Sequence, residues 1–524
     1  MPKIGLPETK VSQKVSIPDP RADVNSLHAS VVALKQTVET LAGTRGQLGP
    51  LNSDTDRPFA AITRLEVRDS ATYEELRSKI ARDVNTPSSA AVVNKTPGAT
   101  GTTSTAPGTA FIATDLNIVP DSGEDQAANI QLAIDELNQA GGGTILFPAG
   151  EYPLYSQIVI PLGVTLAGVG PGTSLYSNFV LSFAGTRFTV YWGQFDPATT
   201  DGQRAAFILG SGACIRDCAI DYPLQSESSA SVVEYAPAIK LYDTTTRTIH
   251  GRCVIQNVFI HKAYTAIDMR GSSSRSNPSI IAQMQGHIVT DVTMTALRYG
   301  IRMDNVWTGS TFTRCAQRSP WLSRTYTTPG SSLRDYAQKN CTFLDIGGVA
   351  EQVTFTDCGA WQVKHAATFY GVSGPVSFEN CTFEACRNDV FVASNNGPRV
   401  MARCVNCVFS AFDGIEEAVA GSARIASYVL SIESGTTLGG FQFSNCLLQK
   451  NSKGWLSFVQ PSQSVSNIIL NGCTTNVLGV FGGAGYAVTV TPGVTQCIIT
   501  NNVFVGLIAA VTGTLGTSVV VNNL

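Results

Sequence analysis

Residues 378–383 read "FENCTF" and residues 404–409 read "CVNCVF". Both phrases run apolar, variable, Asn, Cys, variable, Phe. The same order, with Asn, Asp or Gly before a Cys or Val, recurs at 215–220 "IRDCAI", 255–260 "IQNVFI", 289–294 "VTDVTM", 355–360 "FTDCGA", 443–448 "FSNCLL", 470–475 "LNGCTT" and 500–505 "TNNVFV". Two further copies are 312–317 "FTRCAQ", with Arg314 before the thiol, and 338–343 "QKNCTF". The shared slot is filled by Cys218, Val258, Val292, Cys315, Cys341, Cys358, Cys381, Cys407, Cys446, Cys473 and Val503. Asn, Asp and Gly tolerate a left-handed backbone, so the residue before the slot marks a sharp bend between two short strands. The slot residue then points inward, as does the apolar residue two positions later.

Successive slots lie 17 to 40 residues apart. A unit of that length with two or three short strands cannot bury its apolar face alone. Stacking equivalent strands of consecutive units does bury it, which makes a β-solenoid. The 17-residue step from Cys341 to Cys358 is too tight for one coil, so one of those two is a chance match. Two long gaps, 221–237 and 319–336, show no alternation and are expected to loop out from the stack. Functional groups concentrate on such excursions.

A solenoid leaves its first coil open, and the sequence supplies a cover. Residues 125–139, "DQAANIQLAIDELNQ", place Ile130, Ile134 and Leu137 on one helical face, and Gly141, Gly142 and Gly143 turn the chain into the strand "TILFP". This segment resembles the opening of pectate-lyase-like, right-handed parallel β-helix proteins. A helix, a triple-Gly turn, a Pro-x-Gly-x-Tyr phrase (Pro148, Gly150, Tyr152) and a Leu-x-Gly-x-Gly phrase (Leu166, Gly168, Gly170) follow in the same order. The expected fold is therefore all-β: a right-handed, single-stranded parallel β-helix over roughly 110–524, preceded by a small α-helical or coiled-coil region.

Upstream of the solenoid the character changes. Residues 1–22 read as an extended polar arm. Within a helical region over 23–85, Val24, Leu27, Val31, Leu34, Val38 and Leu41 follow strict a/d spacing. Two readings stand: a coiled-coil seam between copies of the chain, or an amphipathic helix packed on its own domain. The heptad itself does not set a copy number. Residues 86–110, rich in Pro, Gly, Ser, Thr and Ala, read as a linker; 111–172 as the capping helix and first coils; 173–524 as the solenoid body.

The 524 residues carry only 14% charged side chains, 48 glycines and a net charge of −3, which offers no electrostatic case for nucleic acid or an anionic membrane. No apolar run is long enough to span a bilayer, and the first thirty residues lack a secretory pattern. Thirteen cysteines, an odd number without an export signal, suggest reduced thiols and assembly in a cytoplasm. The five histidines look scattered, with no pair at metal-ligand spacing, so neither metal nor cofactor is expected.

Aligning coils on the slot brings outward positions together. Ten residues after it Asp268 falls on Arg302, and twelve after it Arg270 falls on Asp304, while Ile267, Met269, Ile301 and Met303 point inward. Thr368, Tyr370 and Phe391 share that face, and the shorter next coil adds Glu416. One reading is a sugar groove. Asp268, Asp304 and Glu416 are then candidate acids and bases; Arg270, Arg302, Trp307, Tyr370, Phe391 and Trp321 contact substrate. Strand geometry puts Asp268 and Asp304 about 8 Å apart, within the range of roughly 6.5–9.5 Å that suits an inverting glycosidase. The other reading is crossed ion pairs, Asp268 with Arg302 and Arg270 with Asp304, keeping an exposed sheet soluble. Tyr326, Arg334 and Asp335 in the later insertion are weaker candidates to clasp a saccharide. Asp221, Glu227 and Glu234 in the earlier insertion are candidates for donation to a neighbouring chain's groove.

With its helical head and no export signal, the chain as a whole is similar to bacteriophage tailspikes. That resemblance implies a homotrimer in the virion tail, docked to other tail proteins through residues 1–85. It also implies binding, with or without depolymerisation, of a bacterial surface polysaccharide. Two alternatives remain: a non-catalytic virion spike or decoration protein, and a cellular β-helix lyase or hydrolase.

Overall fold

The computed structural model describes most of residues 110–523. Residues 1–109, 176–180, 194–203, 242–249, 271–283, 307–308, 323–331, 387, 393–399 and 412–427, several loops beyond 432, and 522 and 524 are not described. The heptad Val24–Leu41 and the arm, helical region and linker boundaries fall outside the described residues.

The body is a stack of parallel strands. In each coil a strand carrying the bend belongs to one sheet, here the bent sheet, and the next segment belongs to a second, straight sheet. The bent sheet pairs Cys214–Asp221, Val254–His261 and Ile288–Thr295 in parallel, with Cys218 opposite Val258 and Val258 opposite Val292. The straight sheet pairs Thr265–Arg270, Tyr299–Val306, Thr342–Ala350 and the first part of His365–Glu379. Every pairing between coils is parallel, and the described antiparallel pair, Thr173–Leu175 with Leu181–Phe183, is a small outlying hairpin.

The bend is where the slot pattern places it. Asp217, Asn257, Asp291, Arg314, Asp357, Asn380, Asn406, Asn445 and Gly472 all have positive φ between 49° and 66°. Arg314 is the unusual residue type, and a two-pronged ion pair to Asp291 of the previous coil holds it there (Nε to Oδ1 2.5 Å, Nη2 to Oδ2 2.8 Å). Cys218, Cys315, Cys358, Cys381, Cys407, Cys446 and Cys473 are buried behind these bends. From Cys315 onward these thiols donate to backbone carbonyls of the preceding coil: Cys381 to Phe355 O at 3.4 Å, Cys407 to Phe378 O at 3.4 Å, Cys473 to Phe443 O at 3.5 Å. A thiol thus fills an apolar slot and makes a weak bond that valine cannot make. The cysteines among the described residues are free, and burial pushes the thiols of Cys218, Cys341 and Cys404 well above the ordinary range. Cys404 and Cys407 both face the core, so their CxxC spacing is part of the packing.

Two slots need correction. Cys341 is the chance match: it follows a helix and begins a straight-sheet strand, while Cys315 aligns with Cys358 through the pairing of Ala316 with Gly359. In the last copy the bend is at Asn501, not Asn502. Asn502 is 1% exposed and takes the thiol's place, accepting from Cys473 N–H at 2.7 Å and donating to Leu470 O at 3.1 Å, whereas Val503 is exposed.

The cover over the first coil is a helix, α1, at Ala127–Gln139, with Ile130, Ala133, Ile134 and Leu137 buried. It lies against the strands at Gly143–Leu146, Ile158–Ile160 and Val164–Ala167. Gly142 has φ +110°, and a Cβ there would sit 2.6 Å from Gly163 O. Gly142→Ala is therefore expected to cost at least about 1–3 kcal/mol, read as a lower melting temperature; an unchanged melt would contradict this account of the turn.

The two insertions do not merely dangle. The earlier one contains a turn at Ser229–Ser231. The later one forms a turn at Ser319–Leu322 and a second helix, α2, at Leu333–Asn340, started by a capping box between Ser332 and Asp335. The insertions touch through a Ser228–Ser332 bridge and contacts of α2 with the Ser229–Ser231 turn. Both leave their coils between the bent and straight sheets and come together at that corner, where Glu227 pairs with Lys262, Arg334 with Gln362 and Arg298 with Asn340 O.

Candidate functional site

The straight sheet's outer face carries two charged columns. In one, the register runs Lys240, Asp268, Arg302, Asp345, Thr368, Phe391. In the other it runs Arg270, Asp304, Gly347, Tyr370. The sequence alignment of Asp268 with Arg302 and of Arg270 with Asp304 holds, and Ile267, Met269, Ile301 and Met303 are fully buried beneath.

The pairing is not crossed. Arg270 grips Asp268 two residues back on its own strand, with Nε donating to Oδ1 at 2.9 Å and Nη2 to Oδ2 at 2.7 Å. Lys240 reaches the same carboxylate at 3.6 Å from the previous coil. Arg302 turns to the next coil and donates Nε–H to Asp345 at 3.0 Å. Nor is this a solvated surface: Asp268 and Asp345 are at most 1% exposed and Lys240 2%. Burial alone would raise the pKa of Asp268, but Lys240, Arg270 and Arg302 outweigh it and hold the carboxyl well below the ordinary range. With both oxygens taken by one guanidinium, Asp268 is an ionic anchor and not an acid poised to give up a proton. Asp304 is 7% exposed and lies in the field of Arg270.

The solvent-facing layer sits above this anchor. Arg302 stacks on the Tyr299 ring, 4.0 Å from its centroid, and Arg298 lies 5.2 Å from the same ring while donating to Asn340 O at 3.0 Å. Arg298 follows directly on Tyr264 in the stack, its N–H donating to Tyr264 O at 2.9 Å. Tyr264 lies beside Tyr336 of α2. Glu234, from the earlier insertion, completes the group. The residue is exposed, yet desolvation by its neighbours raises its carboxyl above the ordinary range against the opposing pull of Arg298 and Arg302. Burial and the Glu234 charge together raise the Tyr264 phenol as well. A carboxyl with a raised pKa thus lies in the field of two guanidiniums beside a set of partly exposed tyrosines.

The remaining predicted residues separate. Tyr370 is half-buried in the second column, and the backbone register sets Phe391 beside Thr368. Trp321 is elsewhere: it packs on Phe259 of the bent sheet, ring centroids 5.9 Å apart. Trp307, Tyr326 and Glu416 lie outside the described residues. Arg334 is buried and donates to Gln362 at 2.7 Å, and Asp335 caps α2, so neither clasps a ligand. In the earlier insertion Glu227 pairs with Lys262 and Asp221 accepts from His261 Nδ1 at 2.8 Å, while Glu234 approaches arginines of its own chain. The histidines are not scattered either, since the His250 and His287 rings stack 5.4 Å apart.

Sequence reasoning missed Lys240, Tyr264, Arg298, Tyr299, Tyr336 and Asp345. Tyr264 and Arg298 were within reach, because each lies six residues after its slot. Lys240 and Asp345 were hidden by the insertions, which push them 22 and 30 residues past Cys218 and Cys315.

Residues 111–345 match the family model described as rhamnogalacturonase A/epimerase, pectate lyase-like. The fold is that of a pectate-lyase-like parallel β-helix. Among solved structures, the A-module of the mannuronan C-5 epimerase AlgE6 from Azotobacter vinelandii is similar, with a TM-score of 0.54 at 15% identity. The match covers 79% of this chain and 98% of that one. The N-terminal fragment of bacteriophage phi29 gene product 12 gives 0.53 at 12% identity, over 76% and 66% of the two chains. A tailspike protein, gp49, of Acinetobacter baumannii bacteriophage Fri1, a capsular polysaccharide depolymerase, gives 0.45 at 13% identity, over 77% and 63%. No curated protein matches the sequence. At these identities the two likenesses with TM-scores above 0.5 speak for the fold, and the chemistry rests on the site.

Proposed function

We propose that this β-helix binds an acidic polysaccharide along the straight-sheet face and cleaves it by acid–base chemistry, as a tailspike-like protein acting on a bacterial surface glycan. One observation carries the reading: Arg298 and Arg302 both lie over the Tyr299 ring on the straight-sheet face, with Glu234 of the earlier insertion in their field. The guanidiniums suit the carboxylates of a uronate-bearing chain, and Tyr264 and Tyr299 offer rings for sugar faces. Glu234 takes the acid's role in place of Asp268, because a raised pKa favours donation of its proton to a leaving oxygen. Asp304, one of the three carboxylates that the sequence offered as acids and bases, is assigned the base's role. The match of residues 111–345 to a carbohydrate-active family model supports the same reading.

A second reading, glycan binding without cleavage, is favoured by the closure of Asp268, both of whose oxygens are spent on Arg270. Incubating the full chain with capsular and O-antigen preparations separates the two. New reducing ends alone indicate hydrolysis, and unsaturated uronate absorbance indicates a lyase. Retention on an immobilised acidic glycan without either signal indicates a binding spike. Failure to bind any acidic glycan would remove the proposal. The proposed homotrimer, assembled through Val24–Leu41, is tested by light scattering on the same material.

A further inference from the structure

Where the coils return from the straight sheet to the bent sheet, two adjacent coils bury three ligand-type side chains at one corner. His250, Cys253 and His287 are each at most 1% exposed, and their ligand-type atoms all lie within 4.8 Å of one another. They come from two adjacent coils. His250 stands on the short strand His250–Gly251, whose partner is Met284–Gln285, while Cys253 and His287 immediately precede the paired residues Val254 and Ile288.

We propose that His250, Cys253 and His287 form a structural zinc site inside the β-helix. Two imidazoles and a thiolate are a borderline-soft donor set suited to a tetrahedral d¹⁰ cation. The hydrogen bonds around them fit that use. His250 donates Nε2–H to Leu209 O at 2.9 Å, which fixes the tautomer and makes Nδ1 the lone-pair nitrogen. The Cys253 thiol donates to Gly210 O at 3.1 Å, which places a carbonyl oxygen beside the sulfur. His287 accepts Cys253 N–H on Nδ1 at 3.3 Å, the long end for such a bond, while its buried Nε2 has no hydrogen-bond partner. A buried ring nitrogen without a partner costs free energy that a cation on Nε2 removes. Loading then proceeds with a stated balance: the Cys253 thiol loses its proton to solvent, sulfur binds zinc as thiolate, and the His287 ring proton sits on Nδ1 at the expense of the weak 3.3 Å contact. The neighbouring coils show what the corner needs without a metal. Ala213 stands opposite Cys253 on one side, one step before the Cys214–Val254 pair. Ser310 stands opposite His287 on the other, its hydroxyl accepting His287 N–H at 3.3 Å. The sequence reading missed the site because 34 residues separate Cys253 from His287, although His250 and Cys253 are themselves three apart.

Because the site is sealed, the test loads it during folding. The full chain is unfolded with chelator and refolded with Zn²⁺, and separately with Co²⁺, then dialysed. One zinc per chain by elemental analysis and a thiolate-to-cobalt charge-transfer band are expected. Cys253→Ala tests the assignment with little risk to folding, since Ala213 fills the same position one coil earlier. It should lose both the band and the retained metal. Cys381→Ala, which removes a thiol from the bend column, should keep both. Refolded wild type that holds no zinc overturns the proposal, and so does Cys253→Ala that binds as wild type does or Cys381→Ala that abolishes the band.

Discussion

Asp268→Asn is expected to destabilise the body by about 3–5 kcal/mol, the scale of removing one partner from a buried ion cluster. The substitution keeps the shape of the side chain and removes its charge. It leaves the Lys240 ammonium, 2% exposed, and the Arg270 guanidinium facing a neutral amide. The effect should appear as a lower urea midpoint or a loss of soluble protein. A cycle isolates the cause. Ile208 occupies the Lys240 position one coil earlier, so an apolar residue is compatible with that place in the column. Lys240→Met combined with Asp268→Asn should therefore recover part of the loss. The pH dependence has a definite sign. The folded carboxyl titrates below its ordinary value, so its stabilisation is fully present above the unfolded-chain pKa of about 3.9 and disappears as pH falls through the lower folded value. The gap between wild type and Asp268→Asn should close in acid. A variant as stable as wild type at neutral pH would show that the cluster is not an anchor.

Glu234→Gln is expected to lower the rate of glycan cleavage by about 10²- to 10⁴-fold, the usual contribution of a general acid, while the chain still binds the glycan through Arg298 and Arg302. Gln keeps the size and polarity of the side chain but has no carboxyl proton to give. Since the Glu234 pKa is raised, the wild-type rate should persist to higher pH than an ordinary glutamate allows and then fall as the acid ionises. That alkaline limb should vanish in the variant. Undiminished cleavage by Glu234→Gln would dismiss Glu234 as the acid. If wild type binds the glycan but cleaves none, the site is a binding surface.

The column of bends was legible because its signal is local. A left-handed residue, a small inward side chain and an apolar residue two places on all lie within one short phrase, and repetition multiplied the evidence. Arg314 broke the composition rule, yet the register around it held, because neighbouring coils dictate the turn and Asp291 secures it. Asn502 misled for the opposite reason. Two adjacent asparagines both suit a bend, and only pairing with the Cys473 coil decides which one turns the chain and which one goes inside.

The charged face was half legible. Asp268 over Arg302 and Arg270 over Asp304 followed from constant spacing after the slot, and both registers are real. Which charge grips which was not encoded in that spacing. An arginine on such a face can reach along its own strand or to either neighbouring coil, and it settles where desolvation is best repaid. Arg270 chose its own strand and Arg302 the next coil.

Short-range backbone preference and strict alternation were enough to fix the stacking of coils, nearly all of their bends, the covering helix and the inward or outward sense of most strand residues. It took the packed molecule to show that the two insertions meet at the corner between the sheets, that Asp268 is an enclosed anchor, that Glu234 is an exposed carboxyl in the field of Arg298 and Arg302, and that His250, Cys253 and His287 converge. Each of these depends on loop lengths and side-chain torsions that bring together residues tens of positions apart, and no local pattern records where such excursions come to rest.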